Sequence, residues 1–141
     1  DNKTLSIAIM DIDHFKLIND NFSHLIGDKV ICEIARLLRL NFPDEGYAAR
    51  WGGEEFTLLF PYKNAEEAAK MCESIRLEIA DYDFAELAQE LSVTVSFGVA
   101  DNAEVTDYDR LLSHADTALY HAKNNGRNKI FIYNQGCTAL D

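Results

Sequence analysis

No apolar run in this 141-residue chain is long enough to cross a bilayer. The longest, such as Ile7 to Met10, are a few residues, against the ~20 a spanning helix needs. Nothing reads as a signal peptide. Cysteine is scarce and odd in number: Cys32, Cys72 and Cys137, at spacings that match no metal or disulfide framework. A disulfide-stapled scaffold is excluded. Cys32 and Cys72 fall in apolar helical patterns and are expected to be small core residues. A reducing, cytoplasmic compartment follows from that usage. Positive charge is also short, with 13 Lys and Arg against 24 Asp and Glu, a net charge of −11. Between Leu77 and Asp109 there are nine acidic residues and no Lys or Arg. Such a chain repels a bare polyanion, so nucleic acid is not an expected partner, and no membrane contact is expected either.

What remains is a globular chain, with 48% apolar and 26% charged residues. Its length fits one domain, read as residues 1–135, with 136–141 as a flexible tail. Leu5 to Ile12 is apolar and β-branched and ends in Asp11-Ile12-Asp13, which predicts a buried strand. Phe15, Ile18 and Phe22 predict a short helix over 13–20, followed by a loop holding Ser23 and Gly27. From Asp28 onward Val30, Ile31, Ile34, Leu37 and Leu38 predict an amphipathic helix, ended by Pro43 and Gly46. Tyr47–Trp51 and Glu55–Phe60 flank Gly52-Gly53, a hairpin signal. Asn64 with Glu67 resembles a capping box before a third helix. Leu91 to Val99 alternates apolar and polar, which predicts a half-buried strand. Asp107 can cap a last helix that Asn125-Gly126 ends, and Lys129 to Tyr133 closes the sheet. The order predicts an α+β, ferredoxin-like palm: a mixed sheet of about five strands flanked by helices.

The chemistry-bearing residues gather at a few places. Asp11 and Asp13 end the first strand, and Glu54 and Glu55 follow the Gly-Gly turn; both pairs are expected to be exposed. If the hairpin lies beside the first strand, these carboxylates converge, and converging oxygens with substrate phosphates suit Mg²⁺. Gly52 and Gly53, without Cβ atoms, let a nucleotide lie against the turn. Lys123 and Arg127, at i and i+4, form a local cationic patch that a small phosphorylated ligand can use, although cations also suit a helix end for its dipole. Asn19, His24 and Asp28 read equally as a turn amide, a loop histidine and a helix cap.

Arg50-Trp51-Gly52-Gly53-Glu54-Glu55-Phe56 resembles the signature of the GGDEF family of diguanylate cyclases, in a Glu-Glu form. Asp11-Ile12-Asp13-His14-Phe15-Lys16-Leu17-Ile18-Asn19-Asp20 resembles that family's first-strand motif. Ser23-His24, Gly27-Asp28, Asp116, Tyr120, Ala122-Lys123 and Gly126-Arg127-Asn128 follow in the family's order and spacing. The resemblance implies a palm that binds GTP, two copies of which meet face to face to make cyclic di-GMP and two pyrophosphates. It implies a homodimer and Mg²⁺ or Mn²⁺, two ions per active site. Asp11, the Ile12 carbonyl and Glu54 would hold metal, with Glu54 also activating the 3′-hydroxyl and Glu55 assisting. Asn19 and Asp28, with His24 in the same loop, would lie at the guanine. Lys123 and Arg127 would hold the β- and γ-phosphates, supported by Lys16 and the backbone around Phe15. The family's usual segment ahead of the first strand, often joined to a sensor or dimerisation region, is not in this chain. Its product-binding Arg-x-x-Asp motif corresponds here to Pro43-Asp44-Glu45-Gly46, so no product docking is expected at that turn. Two other readings stand beside the cyclase: a catalytically silent GTP- or cyclic-di-GMP-binding module, and an enzyme making mixed GMP–AMP dinucleotides. The intact carboxylates and cations argue against the first, and Asp28 against the second.

Overall fold

The computed structural model describes residues 3–42 and 46–134. The tail at 136–141, and Pro43 to Glu45 of the turn discussed above, lie outside the described residues. The element order is β1 (Leu5–Ile12), α1 (Phe15–Phe22), α2 (His24–Asn41), β2 (Tyr47–Gly52), β3 (Glu55–Pro61), α3 (Ala65–Asp81), β4 (Val95–Asp101), α4 (Tyr108–Asn124) and β5 (Ile130–Ile132), with a short 3₁₀ turn at Phe84–Glu86. The sheet runs β2-β3-β1-β4-β5. β1 is central and antiparallel to both β3 and β4, while β5 runs parallel to β4. The expected mixed five-stranded sheet is borne out.

The period of two in β1 divides its side chains between two cores. Ala8, Met10 and Ile12 face Val30, Ile34 and Leu38 of α2 and Cys72 and Ile75 of α3. Ile7 and Ile9 face Leu111, Ala115 and Leu119 of α4. Helices therefore cover both faces, which makes β4 buried on both sides and not half-buried as its alternation predicts. The polar face of that pattern is interior: Ser96 is fully buried, and a Cβ on Gly98 would overlap the backbone of Ala115 and Leu119. Glycine here lets α4 lie directly on the sheet. β4 also starts at Val95, later than expected, because β1 ends at Ile12, the partner of Val95. Leu91 and Val93 are buried without joining the ladder.

Other boundaries shift for local reasons. The short helix begins at Phe15, not Asp13, because His14 ahead of it is left-handed (φ 55°). The expected Ser23–Gly27 loop contracts to Ser23 alone, whose φ of 114° makes the joint and whose hydroxyl accepts the Ile26 N–H at 3.2 Å. Gly27 lies inside α2, where a Cβ would run into the Asn19 amide on α1. The Asn64–Glu67 capping box forms, with bonds of 2.8 and 2.9 Å, but Asp107 makes no side-chain cap bond. Cys72 is buried as expected; Cys32 is exposed, because the helical period carries it past the edge of the apolar stripe.

Candidate active site

The register of the sheet builds the site. Asp11, at the end of β1, lies opposite Glu55 on β3 and Ser96 on β4. The Ile12 N–H donates to the Glu54 carbonyl at 3.3 Å, which ties the hairpin turn to the end of β1. α4 runs over the same face and brings Lys123 onto Asp11, whose Oδ2 it pairs with. Beyond it the chain turns back through Gly126 and Arg127, both left-handed, and the Arg127 side chain folds toward the helix end with its Nη1 donating to the Lys123 carbonyl at 3.3 Å.

A cleft of about 280 Å³ opens between these pieces, and Asp11, Phe15, Lys16, Glu54, Lys123 and Arg127 are among its lining residues. Asp13 lines it as well, so three acidic residues and three cations share one opening. Asp11 is 3% exposed, contrary to its expected exposure. Burial pushes its carboxyl above the ordinary range, Lys123 opposes the rise, and Glu54 and Asp13 add to it. Its Oδ1 is buried and has no hydrogen-bond partner among the described residues. An orphan carboxylate oxygen in a cleft is costly unless a donor or cation meets it.

Asp13 reaches this cleft, but its carboxyl is not free as the spacing predicts. It is 5% exposed, and Thr94, Ser96 and the Asn128 N–H all donate to it. Glu55 also parts from Glu54. It lines a second opening of about 360 Å³ with Ile9, Thr57, Asp109 and Asp116 on the α4 side of the hairpin. Burial raises its carboxyl, and Asp11 and Asp116 add to that while Lys123 opposes it. Asn19, His24 and Asp28 sit on the α1–α2 unit and do not line the cleft. His24 and Asp28 are exposed, while the Asn19 Oδ1 is buried and has no partner among the described residues.

Asp11, Ile12 and Glu54 line the cleft together, and carboxylate and carbonyl oxygens are the donors that a hard divalent cation takes. Among the described residues no three His, Cys, Asp or Glu side chains form a cage of their own. Mg²⁺ takes one or two protein carboxylates and completes its octahedron with water and phosphate oxygens. The Gly-Gly turn fits the same reading. Gly53 has a φ of 54°, which glycine accommodates, but Gly52 does not, and a Cβ on either would meet nothing within 4 Å. Neither packing nor, at Gly52, backbone conformation requires the missing side chain, and the turn offers bare backbone to whatever lies against it.

Residues 1–129 match the family model described as "Diguanylate cyclase, GGDEF domain". The chain belongs to the GGDEF family. Diguanylate cyclase VdcA of Vibrio cholerae is 41% identical over 129 residues, which is 89% of this chain and 38% of that protein. Diguanylate cyclase DgcP of Pseudomonas aeruginosa is 40% identical over 132 residues, 94% of this chain and 20% of that protein. This GGDEF chain therefore spans well under half the length of either relative. Among solved structures, the active GGEEF domain of a diguanylate cyclase from Vibrio cholerae superposes with a TM-score of 0.88 at 37% identity, over 94% of this chain and 85% of that one. The GGDEF domain of DgcB from Caulobacter crescentus, in complex with c-di-GMP, gives 0.85 at 34%, over 92% and 78%. No described helix is long and apolar enough to cross a membrane.

Sequence reasoning missed the Thr94, Ser96 and Arg76 side chains that surround Asp13 and Asn128. For Ser96 the signal was present in the polar face of β4, but alternation assigns it to solvent until α4 is known to lie over that face.

Proposed function

We propose that this GGDEF chain is a diguanylate cyclase domain that condenses two GTP molecules into cyclic di-GMP, working as a homodimer with one GTP in each copy. One observation carries the reading: the buried Asp11 carboxyl, Glu54, Lys123 and Arg127 share one cleft beside a bare Gly-Gly turn. In each half-reaction a ribose 3′-oxygen attacks an α-phosphorus. The new O–P bond replaces the bond to pyrophosphate, which leaves, and the hydroxyl proton passes to a base. Phosphoryl transfer asks the protein mainly to position these atoms and to neutralise charge.

Glu54, which lines the cleft, is the candidate to take the 3′-hydroxyl proton. Lys123 and Arg127 would hold the β- and γ-phosphates with Lys16 and the Phe15 backbone, and Lys123 can exchange Asp11 for a phosphate oxygen by rotating its flexible stem. Asn19 and Asp28 would read guanine, with His24 nearby. Mg²⁺ or Mn²⁺, held by Asp11, Glu54 and the Ile12 carbonyl, would supply neutralisation of the triphosphate charge when bound. The net charge of −11 is then no obstacle to an anionic substrate, since the cations are local.

The test is incubation of the chain with GTP and Mg²⁺, followed by chromatographic separation of the nucleotides. Cyclic di-GMP and pyrophosphate in a 1:2 ratio are expected. GTP bound but never turned over, at any protein concentration, would replace this reading with that of a silent nucleotide-binding module.

A further inference from the structure

We infer that Asp13 is a positioning residue for the turn that carries Arg127, and not a member of the metal-binding set. The inference rests on the cyclase reading only for what Arg127 holds. Asp13 Oδ1 accepts the Ser96 hydroxyl at 2.7 Å, and Oδ2 accepts the Thr94 hydroxyl at 2.7 Å and the Asn128 N–H at 2.9 Å. The Asn128 N–H is shared with Ser96 Oγ at 3.0 Å. Both carboxyl oxygens are therefore occupied by donors from β4, from Thr94 just ahead of it and from the turn after α4. Asp11 Oδ1, two residues away, has none among the described residues.

The turn needs holding. Gly126, Arg127 and Asn128 have φ of 110°, 59° and 50° in succession, and only the first is glycine. Consecutive left-handed residues with side chains persist only where their surroundings fix them. Two clamps do so. Asp13 holds the Asn128 N–H from beneath. From α3, Arg76 Nη1 donates to Asn128 Oδ1 at 2.8 Å and to its carbonyl at 3.3 Å, while Glu73 pairs with the same guanidinium at 2.6 Å. Arg127 is the next residue back and lines the cleft. Freeing Asn128 loosens the turn on the side away from α4, while the Ala122 and Lys123 carbonyls still hold Arg127 from the helix.

Binding of GTP and of GMP, each with Mg²⁺, to the whole chain by calorimetry tests this. Asp13→Ala is expected to lower the preference for GTP over GMP roughly tenfold, the loss of about one hydrogen bond to a charged group. Asp13→Asn is expected to restore most of it, because one amide oxygen still accepts the Thr94 hydroxyl and the Asn128 N–H. Adding Arg127→Ala to Asp13→Ala should cost little more than either alone. Arg76→Met, on the far side of the turn, should give a smaller loss of the same kind, and it replaces Asp13→Ala if that variant does not fold. Two results would overturn the inference: Asp13→Asn as damaging as Asp13→Ala, which would mean that the charge itself is used, or additive losses in the double variant. Amide hydrogen exchange at Asn128 reads the clamp with no nucleotide present. Protection in the wild type that is lost in Asp13→Ala or Arg76→Met supports it even if GTP does not bind and the cyclase reading falls. An Asn128 amide that exchanges freely in every form refutes it.

Discussion

Asp11 and Asp13 stand two residues apart where β1 ends, and both are almost fully buried. One keeps an oxygen without a partner; the other has every oxygen taken. From the sequence they form one acidic pair, and burial alone does not part them. Saturation does. A buried carboxyl whose oxygens are all met by protein donors is a structural joint, because a further ligand would have to break bonds that the fold already needs. A buried carboxyl with an orphan oxygen on a cleft is incomplete until something else arrives. Among the described residues one other buried side-chain polar atom lacks a partner, the Asn19 Oδ1. Both orphans belong to residues that the family resemblance assigns to substrate or metal.

The comparison breaks most directly at Asp11. Asp11→Asn keeps the shape and removes the charge. Formation of cyclic di-GMP is expected to fall roughly 10²–10³-fold, the usual cost of removing one element of electrostatic stabilisation from a reacting site. The melting temperature should hold or rise, because burial already disfavours the ionised carboxyl and a neutral amide is easier to bury. Lys123, left without its partner, has a side chain 32% exposed and can turn to water. Asp13→Asn should behave in the opposite way, with turnover largely kept. Equal turnover in both variants, measured by product chromatography, would erase the distinction between them.

Asn19 sharpens it. Gly27 leaves room for its amide, since a Cβ there would occupy the position of Asn19 Oδ1 and sit 3.1 Å from Phe15 Cζ. Gly27→Ala should displace the Asn19 side chain, which is flexible, and spare the backbone. GTP affinity is expected to drop about tenfold, the equivalent of one lost hydrogen-bonded contact. Stability should change by less than about 1 kcal/mol, because alanine gains that order of helix propensity over glycine. Unchanged GTP binding, with the displaced amide confirmed by NMR, would remove Asn19 from the substrate site.

How much of this was legible in the sequence depends on which kind of contact decides each feature. β1, the Gly52-Gly53 hairpin and the Asn64–Glu67 capping box are local, and their residues announce them. The motifs also pick out Asp11, Glu54, Lys123 and Arg127, which the structure brings to one cleft. The failures are features set by what packs on top. Ser96 alternates like a solvent-facing residue because nothing in β4 itself says that α4 covers it. Cys32 shares an apolar pattern with Cys72 but sits at the rim of its helix, where a shift of one residue exchanges core for water. Asp13 reads as a partner of Asp11 because its three donors come from Thr94, Ser96 and Asn128, more than 80 residues further on. Glu55 adjoins Glu54 in sequence, yet Glu54 belongs to the turn and Glu55 is the first residue of β3, and they line different openings.

The smallest expected effect is a pH dependence that separates the two acidic neighbours of the cleft. Burial raises both the Asp11 and the Glu55 carboxyls above their ordinary values of 3.8 and 4.5, and Asp11 is the more deeply buried. A carboxyl raised in the folded state binds its proton more tightly there than in the unfolded chain. Its contribution to stability is therefore complete below the ordinary value and is lost as pH rises through the folded one. Replacing such a group with its amide removes that loss. In urea unfolding with a chelator present, Asp11→Asn and Glu55→Gln should each match the wild type most closely near pH 4 and gain on it as pH rises toward 7. Asp11→Asn should gain more, although its broken contact with Lys123 subtracts from the difference. A gap that stays constant with pH, or one that widens toward acid, would mean that burial is not what governs these carboxyls. It would also remove the reason for reading the orphan oxygen of Asp11 as a cost that a ligand relieves.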